Sequence, residues 1–129
     1  MLYPFKFKPI LKEKIWGGNK LKSKSKGDLS QKQIGESWEI SGVEGDISIV
    51  QNGALAGRTL NQLISEFKTE LVGETVFEKF NGEFPILIKF IEAQENLSVQ
   101  LHPSDTLAKK RHNSFGKTEM WYITEAESN

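Results

Sequence analysis

The sequence predicts a mainly β chain that carries a few short helices. Three features predict it. Apolar and polar residues alternate around Phe5-Lys6-Phe7-Lys8 and again from Leu97 to His102. A strand sends successive side chains to opposite faces, so this period suits a half-buried strand. Ile86-Leu87-Ile88-Lys89-Phe90-Ile91 is an apolar run broken once, as in a buried sandwich strand. Helical spacing is confined to brief stretches, chiefly Leu60, Leu63, Ile64 and Phe67.

Taken in order, residues 1–19 are expected to be extended, because Pro4 and Pro9 forbid a regular helix there. Gly17-Gly18 is expected to turn the chain. Residues 19–34 predict an exposed loop. Lys20, Lys22, Lys24 and Lys26 alternate there with Leu and Ser, and Ser, Lys and Gly cannot bury apolar area. Gly35 to Ser41 predicts a strand, Asp46 to Val50 the next, and Gln51-Asn52-Gly53 a turn. Thr59 is a good N-cap for the helix that follows, which Leu71-Val72-Gly73 ends. Glu74 to Phe80 predicts a second short helix with Gly82 as its stop. After Pro85 the strand pattern returns. Leu97 to His102 predicts another strand, ended by Pro103. Ser104 or Asp105 then caps a short helix through Leu107 and Ala108. Lys109, Lys110 and Arg111 fall in its last turn, where cations meet the negative end of the helix dipole. Met120 to Ile123 predicts a last strand. The length, 129 residues, suits one domain.

Composition removes several function classes. Lys+Arg and Asp+Glu are 17 each, so the formal net charge is zero. A broad basic field is therefore missing, and Lys20–Lys26 has no interleaved aromatics, so no nucleic-acid partner is expected. With no Cys, the chain has no disulfide, no thiolate metal site and no cysteine nucleophile. Lysines interrupt the apolar residues of the N-terminus, unlike a signal peptide. No run reaches the roughly 20 apolar residues of a membrane span. A cytoplasmic chain with no membrane partner is expected.

Two segments carry candidate chemistry. On a strand Leu97, Val99 and Leu101 would line a core face, while Ser98, Gln100 and His102 would line the opposite one. That second face presents a hydroxyl, an amide and an imidazole in a row, although a strand facing water shows polar residues for no functional reason. The second segment, Gly116 to Tyr122, places Lys117, Glu119 and Trp121 on a common face, where an ordinary surface ion pair beside an aromatic is the bland alternative. Gln100, His102 and Glu119 together form a candidate ligand set. One imidazole nitrogen with carboxylate and amide oxygens suits a borderline divalent ion, and zinc is the usual choice.

The ordered set of motifs resembles a known family. It comprises Pro9…Trp16-Gly17-Gly18, Gly35-Glu36-Ser37-Trp38-Glu39-Ile40-Ser41, Asn52-Gly53…Leu55-Ala56-Gly57…Thr59-Leu60, Phe84 to Ile91, Leu97 to Pro103, and Gly116 to Tyr122. It is similar to the N-terminal part of the type I phosphomannose isomerases (mannose-6-phosphate isomerases) in their short bacterial form. The resemblance implies a cupin-type, jelly-roll β-sandwich with one zinc ion per site. It implies interconversion of mannose 6-phosphate and fructose 6-phosphate through a cis-enediol, with a phosphorylated hexose as the partner. By position, Gln100, His102 and Glu119 match zinc ligands. Ser98 matches a residue near the sugar phosphate, and Lys117 a catalytic basic residue beside the metal. Trp16 and Glu39 fall in segments associated with the pocket rim.

The chain departs from the family in one respect. The family's fourth zinc ligand, a histidine, and a catalytic arginine lie well downstream of the third ligand. No residue of this chain matches them, and His112 reads as a surface residue. The expectation is an N-terminal portion of a cupin domain, cut short at its C-terminus. Such a portion would bind zinc more weakly, since affinity depends on the full ligand set. It would not be expected to turn over well by itself, and its unpaired edges would favour self-association. The alternative is a non-catalytic metal- or sugar-binding cupin module, or an inactive remnant. An iron oxygenase on the same fold would need two histidines and a carboxylate, and the motif supplies one histidine.

Overall fold

The computed structural model describes residues 1–24 and 27–127; Lys26 of the expected loop lies outside the described residues. The chain divides into two compact units, Met1–Leu97 and Ser98–Asn129. The first is built on an antiparallel sheet of three strands in the order β1 (Ile10–Gly18), β2 (Ile34–Ile40) and β3 (Ile88–Ile91). Ile10 pairs with Trp38 and Lys12 with Glu36 across one side, and Glu36 pairs with Ile91 and Trp38 with Lys89 across the other.

Gly17 and Gly18 do not form the expected turn; they end β1. A Cβ on Gly17 would overlap the backbone of Ile34 and Gly35, so glycine lets the two strands cross closely. A Cβ on Gly18 would overlap the Glu92 carboxylate. That carboxylate accepts hydrogen bonds from the backbone N–H groups of Asn19 (2.9 Å), Lys20 (3.0 Å) and Leu21 (3.0 Å). These are the orphan donors at the start of a 3₁₀ turn, Lys20–Lys24, that interrupts the expected loop.

Asp46 to Val50 does not form a strand. It makes only isolated bridges, Phe7 with Val50 and Ile49 with Thr59. The expected turn that follows is tied to the N-terminus through Tyr3, whose hydroxyl donates to the Asn52 carbonyl (2.8 Å) and accepts from the Leu55 N–H (2.8 Å). Helix α1 (Leu60–Phe67) carries the expected cap: Thr59 accepts from the Gln62 N–H while the Gln62 side chain accepts from the Thr59 N–H. It ends at Phe67, where Lys68 takes a positive φ of 47° and starts the short α2 (Thr69–Val72). Helix α3 (Glu74–Lys79) follows, and Gly82 takes a positive φ of 77° just beyond it. Leu21, Ile34, Val50, Leu60, Leu63 and Ile64 are the buried apolar residues of this unit among those described.

The lysine that breaks the β3 run has a specific partner. Lys89 Nζ donates to Glu36 Oε1 (2.9 Å), and Trp38 Nε1 donates to Glu36 Oε2 (2.8 Å). Burial by itself pushes the Glu36 carboxyl up, but these two hydrogen bonds and the charges of Lys89 and Lys14 outweigh it, so the group lies below its ordinary value of 4.5.

The second unit contains helix α4 (Asp105–His112), capped by Ser104, whose hydroxyl accepts from the Leu107 N–H, and closed by Asn113 in the left-handed region. Neither Leu97 to His102 nor Met120 to Ile123 is a strand here, because neither has a ladder partner among the described residues. The expected core face is accordingly in solvent: Val99 and Leu101 are 103% and 98% exposed.

Two outcomes are expected. Leu63→Ala, at a fully buried site in α1, should destabilise the chain by about 2–5 kcal/mol in urea denaturation. Glu36 has a folded value below its unfolded one, so its contribution is complete above about pH 4.5 and is lost as pH falls through the folded value. Acidification should therefore lower the urea midpoint of the wild type more than that of Glu36→Gln, and equal declines would exclude Glu36 as a cause.

Candidate functional site

Five of the seven candidate residues lie in the second unit, and local backbone ties bring two segments of it together. Pro103 ends the first segment and Ser104 starts α4. Asp105 then serves the second segment: its Oδ1 accepts from the Gly116 N–H (2.8 Å). A Cβ on Gly116 would overlap the backbone at Pro103, Ser104 and Asp105, so this approach requires glycine. The Lys117 N–H donates to the Pro103 carbonyl (3.3 Å). These contacts set residues 117–119 beside His102 without a strand ladder.

The side chains then meet through one carboxylate. His102 Nε2 lies 3.2 Å from Glu119 Oε2, and Lys117 Nζ lies 2.9 Å from Glu119 Oε1. The two oxygens thus face different partners. The hydrogen bond and charge of Lys117 lower the Glu119 carboxyl below its ordinary 4.5 against a smaller opposing effect of burial, with lesser help from Trp121 and His102. Gln100 stands apart from this trio: its Nε2 donates to Ser98 Oγ (2.9 Å). Ser98 and Gln100 are exposed, while the His102 and Glu119 side chains are about a quarter exposed.

The donor chemistry fits a divalent ion. Two ligands on a tetrahedral zinc at ~2.0–2.2 Å lie ~3.4 Å apart, close to the 3.2 Å between His102 Nε2 and Glu119 Oε2. The carboxylate is held ionised by Lys117, as a ligand must be. Gln100 offers its amide oxygen, since its nitrogen end is engaged. Among the described residues no group of three or more His, Cys, Asp or Glu side chains clusters as a metal site. The set rests on one imidazole, one carboxylate and an amide.

Trp16 and Glu39 belong to the first unit. Trp16 lies in β1, and its carbonyl accepts from the Gln94 N–H (2.8 Å). Glu39 lies in β2, accepts from Ser37 Oγ (2.6 Å) and pairs with Lys24 (3.1 Å). Lys24 also sits 4.2 Å over the Phe90 ring. Sequence reasoning left Lys24 in a solvated loop. Its role as the Glu39 partner depends on the 3₁₀ turn that Glu92 caps, and the only local signal for that turn is Gly18. His112 is exposed in the last turn of α4, as expected. No helix is long and apolar enough to cross a membrane among the described residues.

Comparison with known proteins bears on the whole chain. Residues 4–128 match the family model described as phosphomannose isomerase type I, catalytic domain. The mannose-6-phosphate isomerase ManA of Bacillus subtilis is 39% identical over 126 residues, covering 96% of this chain and 38% of its own length. The mannose-6-phosphate isomerase of Streptococcus mutans is 35% identical over 127 residues, covering 98% and 39%. The crystal structure of the mannose 6-phosphate isomerase from Bacillus subtilis superposes with a TM-score of 0.81 at 35% identity, over 98% of this chain and 39% of that one. The chain therefore spans about two-fifths of the length of these relatives. The match agrees with the expected mainly β, cupin-type fold.

Lys117→Met should move the Glu119 carboxyl back up toward 4.5. A carbon-detected NMR titration of the side-chain carboxyl would read this, and an unmoved titration would remove Lys117 as the dominant cause.

Proposed function

Because the chain belongs to the type I phosphomannose isomerases, we propose that it carries the N-terminal half-site of a zinc-dependent isomerase that interconverts mannose 6-phosphate and fructose 6-phosphate. The observation that carries the reading is the convergence of His102 Nε2 and Glu119 Oε2 at 3.2 Å, with Lys117 on the other carboxylate oxygen. In this reading Gln100, His102 and Glu119 hold one zinc ion, and a fourth ligand comes from outside residues 1–129. When bound, the ion supplies a Lewis acid for the sugar's carbonyl and hydroxyl oxygens.

The reaction moves a proton between C1 and C2 of the open-chain sugar, and negative charge gathers on O1 and O2 in the cis-enediol. The Lys117 ammonium stabilises that charge from beside the metal. It also keeps Glu119 ionised, so the ligand does not compete for the migrating proton. Ser98 donates its hydroxyl proton to a phosphate oxygen of the hexose phosphate and fixes the register of the sugar.

The test is a zinc titration and a turnover assay on this chain. His102→Ala should weaken zinc binding on the order of tenfold or more, because an inner ligand costs at least as much as the outer partners do. Saturable, zinc-dependent conversion of mannose 6-phosphate that is lost in His102→Ala supports the isomerase. Zinc binding without turnover supports the metal half-site alone, which the isomerase reading and a metal-binding cupin module share. Unchanged zinc affinity in His102→Ala removes the site.

A further inference from the structure

Glutamine is an ambiguous metal ligand. Only its amide oxygen can bind a cation, while its NH₂ is a pair of donors that repels one. The two ends are nearly the same size, so something must choose which of them faces the ion. In this structure the choice has a visible agent. Gln100 Nε2 donates to Ser98 Oγ at 2.9 Å, which turns the nitrogen end toward Ser98 and leaves Oε1 as the uncommitted end. The two residues are two positions apart on a segment with no ladder among the described residues, so no described strand fixes the amide.

We propose that Ser98 is a positioning residue for the metal site: its hydroxyl engages the amide nitrogen of Gln100 and so presents the amide oxygen for ligation. The inference rests on the reading of Gln100 as a ligand. A serine hydroxyl has one proton to donate and two lone pairs to accept with. Accepting from Gln100 therefore leaves the proton free for a phosphate oxygen, and one side chain serves both the ion and the sugar phosphate. Hydrogen-bond partners of metal ligands are worth about 10–100-fold in affinity.

The experiment is a zinc titration of this chain by competition with a chromophoric chelator. Ser98→Ala should weaken zinc binding by about tenfold, and Ser98→Thr, which keeps the hydroxyl, should stay within about twofold of the wild type. The decisive variant is Gln100→Glu, whose carboxylate has an oxygen at both ends and needs no orientation. In that background Ser98→Ala should leave zinc affinity unchanged. An equal loss in both backgrounds, or no loss with Gln100 in place, overturns the positioning role. Gln100→Ala separates the two readings. If it leaves zinc affinity unchanged, or the wild-type chain takes up no zinc, Gln100 is not a ligand and the inference falls with it. If it weakens binding while Ser98→Ala does not, the ligand assignment stands and only the positioning role is lost.

Discussion

Among the described residues of Ser98–Asn129, Ala108 is the one buried apolar side chain. Polar ties must therefore do in this unit what a hydrophobic core does elsewhere. The Glu119 carboxylate is the centre of those ties, with one oxygen toward His102 and the other toward Lys117. Exposed ion pairs of this kind contribute only ~0–1 kcal/mol each. A metal ion held by His102 and Glu119 would add binding energy where packing adds almost none.

The first unit solves the opposite problem. It has a core around Ile34, Val50, Leu63 and Ile64, and it must place carboxylates in and beside a sheet. Each one is matched. Glu36 is held by Trp38 and Lys89, and Glu92 takes three backbone N–H groups at the start of the 3₁₀ turn. The buried Glu36 carboxylate would cost several kcal/mol without its partners, and Glu92 sets the geometry of the turn it caps. Lys24 is carried to Glu39 and Phe90 by that same capped turn.

The second unit has an uneven surface. The matched isomerases extend well beyond the aligned two-fifths. Val99 and Leu101 stand in solvent on a segment that alternates like a half-buried strand, and Met120 and Tyr122 are exposed in the apolar run Met120 to Ile123. Of the candidate ligands, His102 and Glu119 meet while Gln100 bonds Ser98.

Much of this was legible in the residues. Thr59 and Ser104 announced their helices, because a cap is a local contact between neighbours in sequence. The types of Gln100, His102 and Glu119 suggested ligands for a divalent ion, because ligand chemistry belongs to the side chain itself; the sugar phosphate was implied only by the family resemblance. What the sequence could not decide was pairing. Gly17-Gly18 looked like a turn and became a close crossing, Asp46 to Val50 looked like a strand and made only bridges, and Lys24 looked solvated and found Glu39. Each outcome depends on which distant segment arrives alongside, and local propensity carries no information about that. Residue identity determined the chemistry available to this chain; only the tertiary contacts decided which oxygen of Glu119 faces a histidine and which faces a lysine.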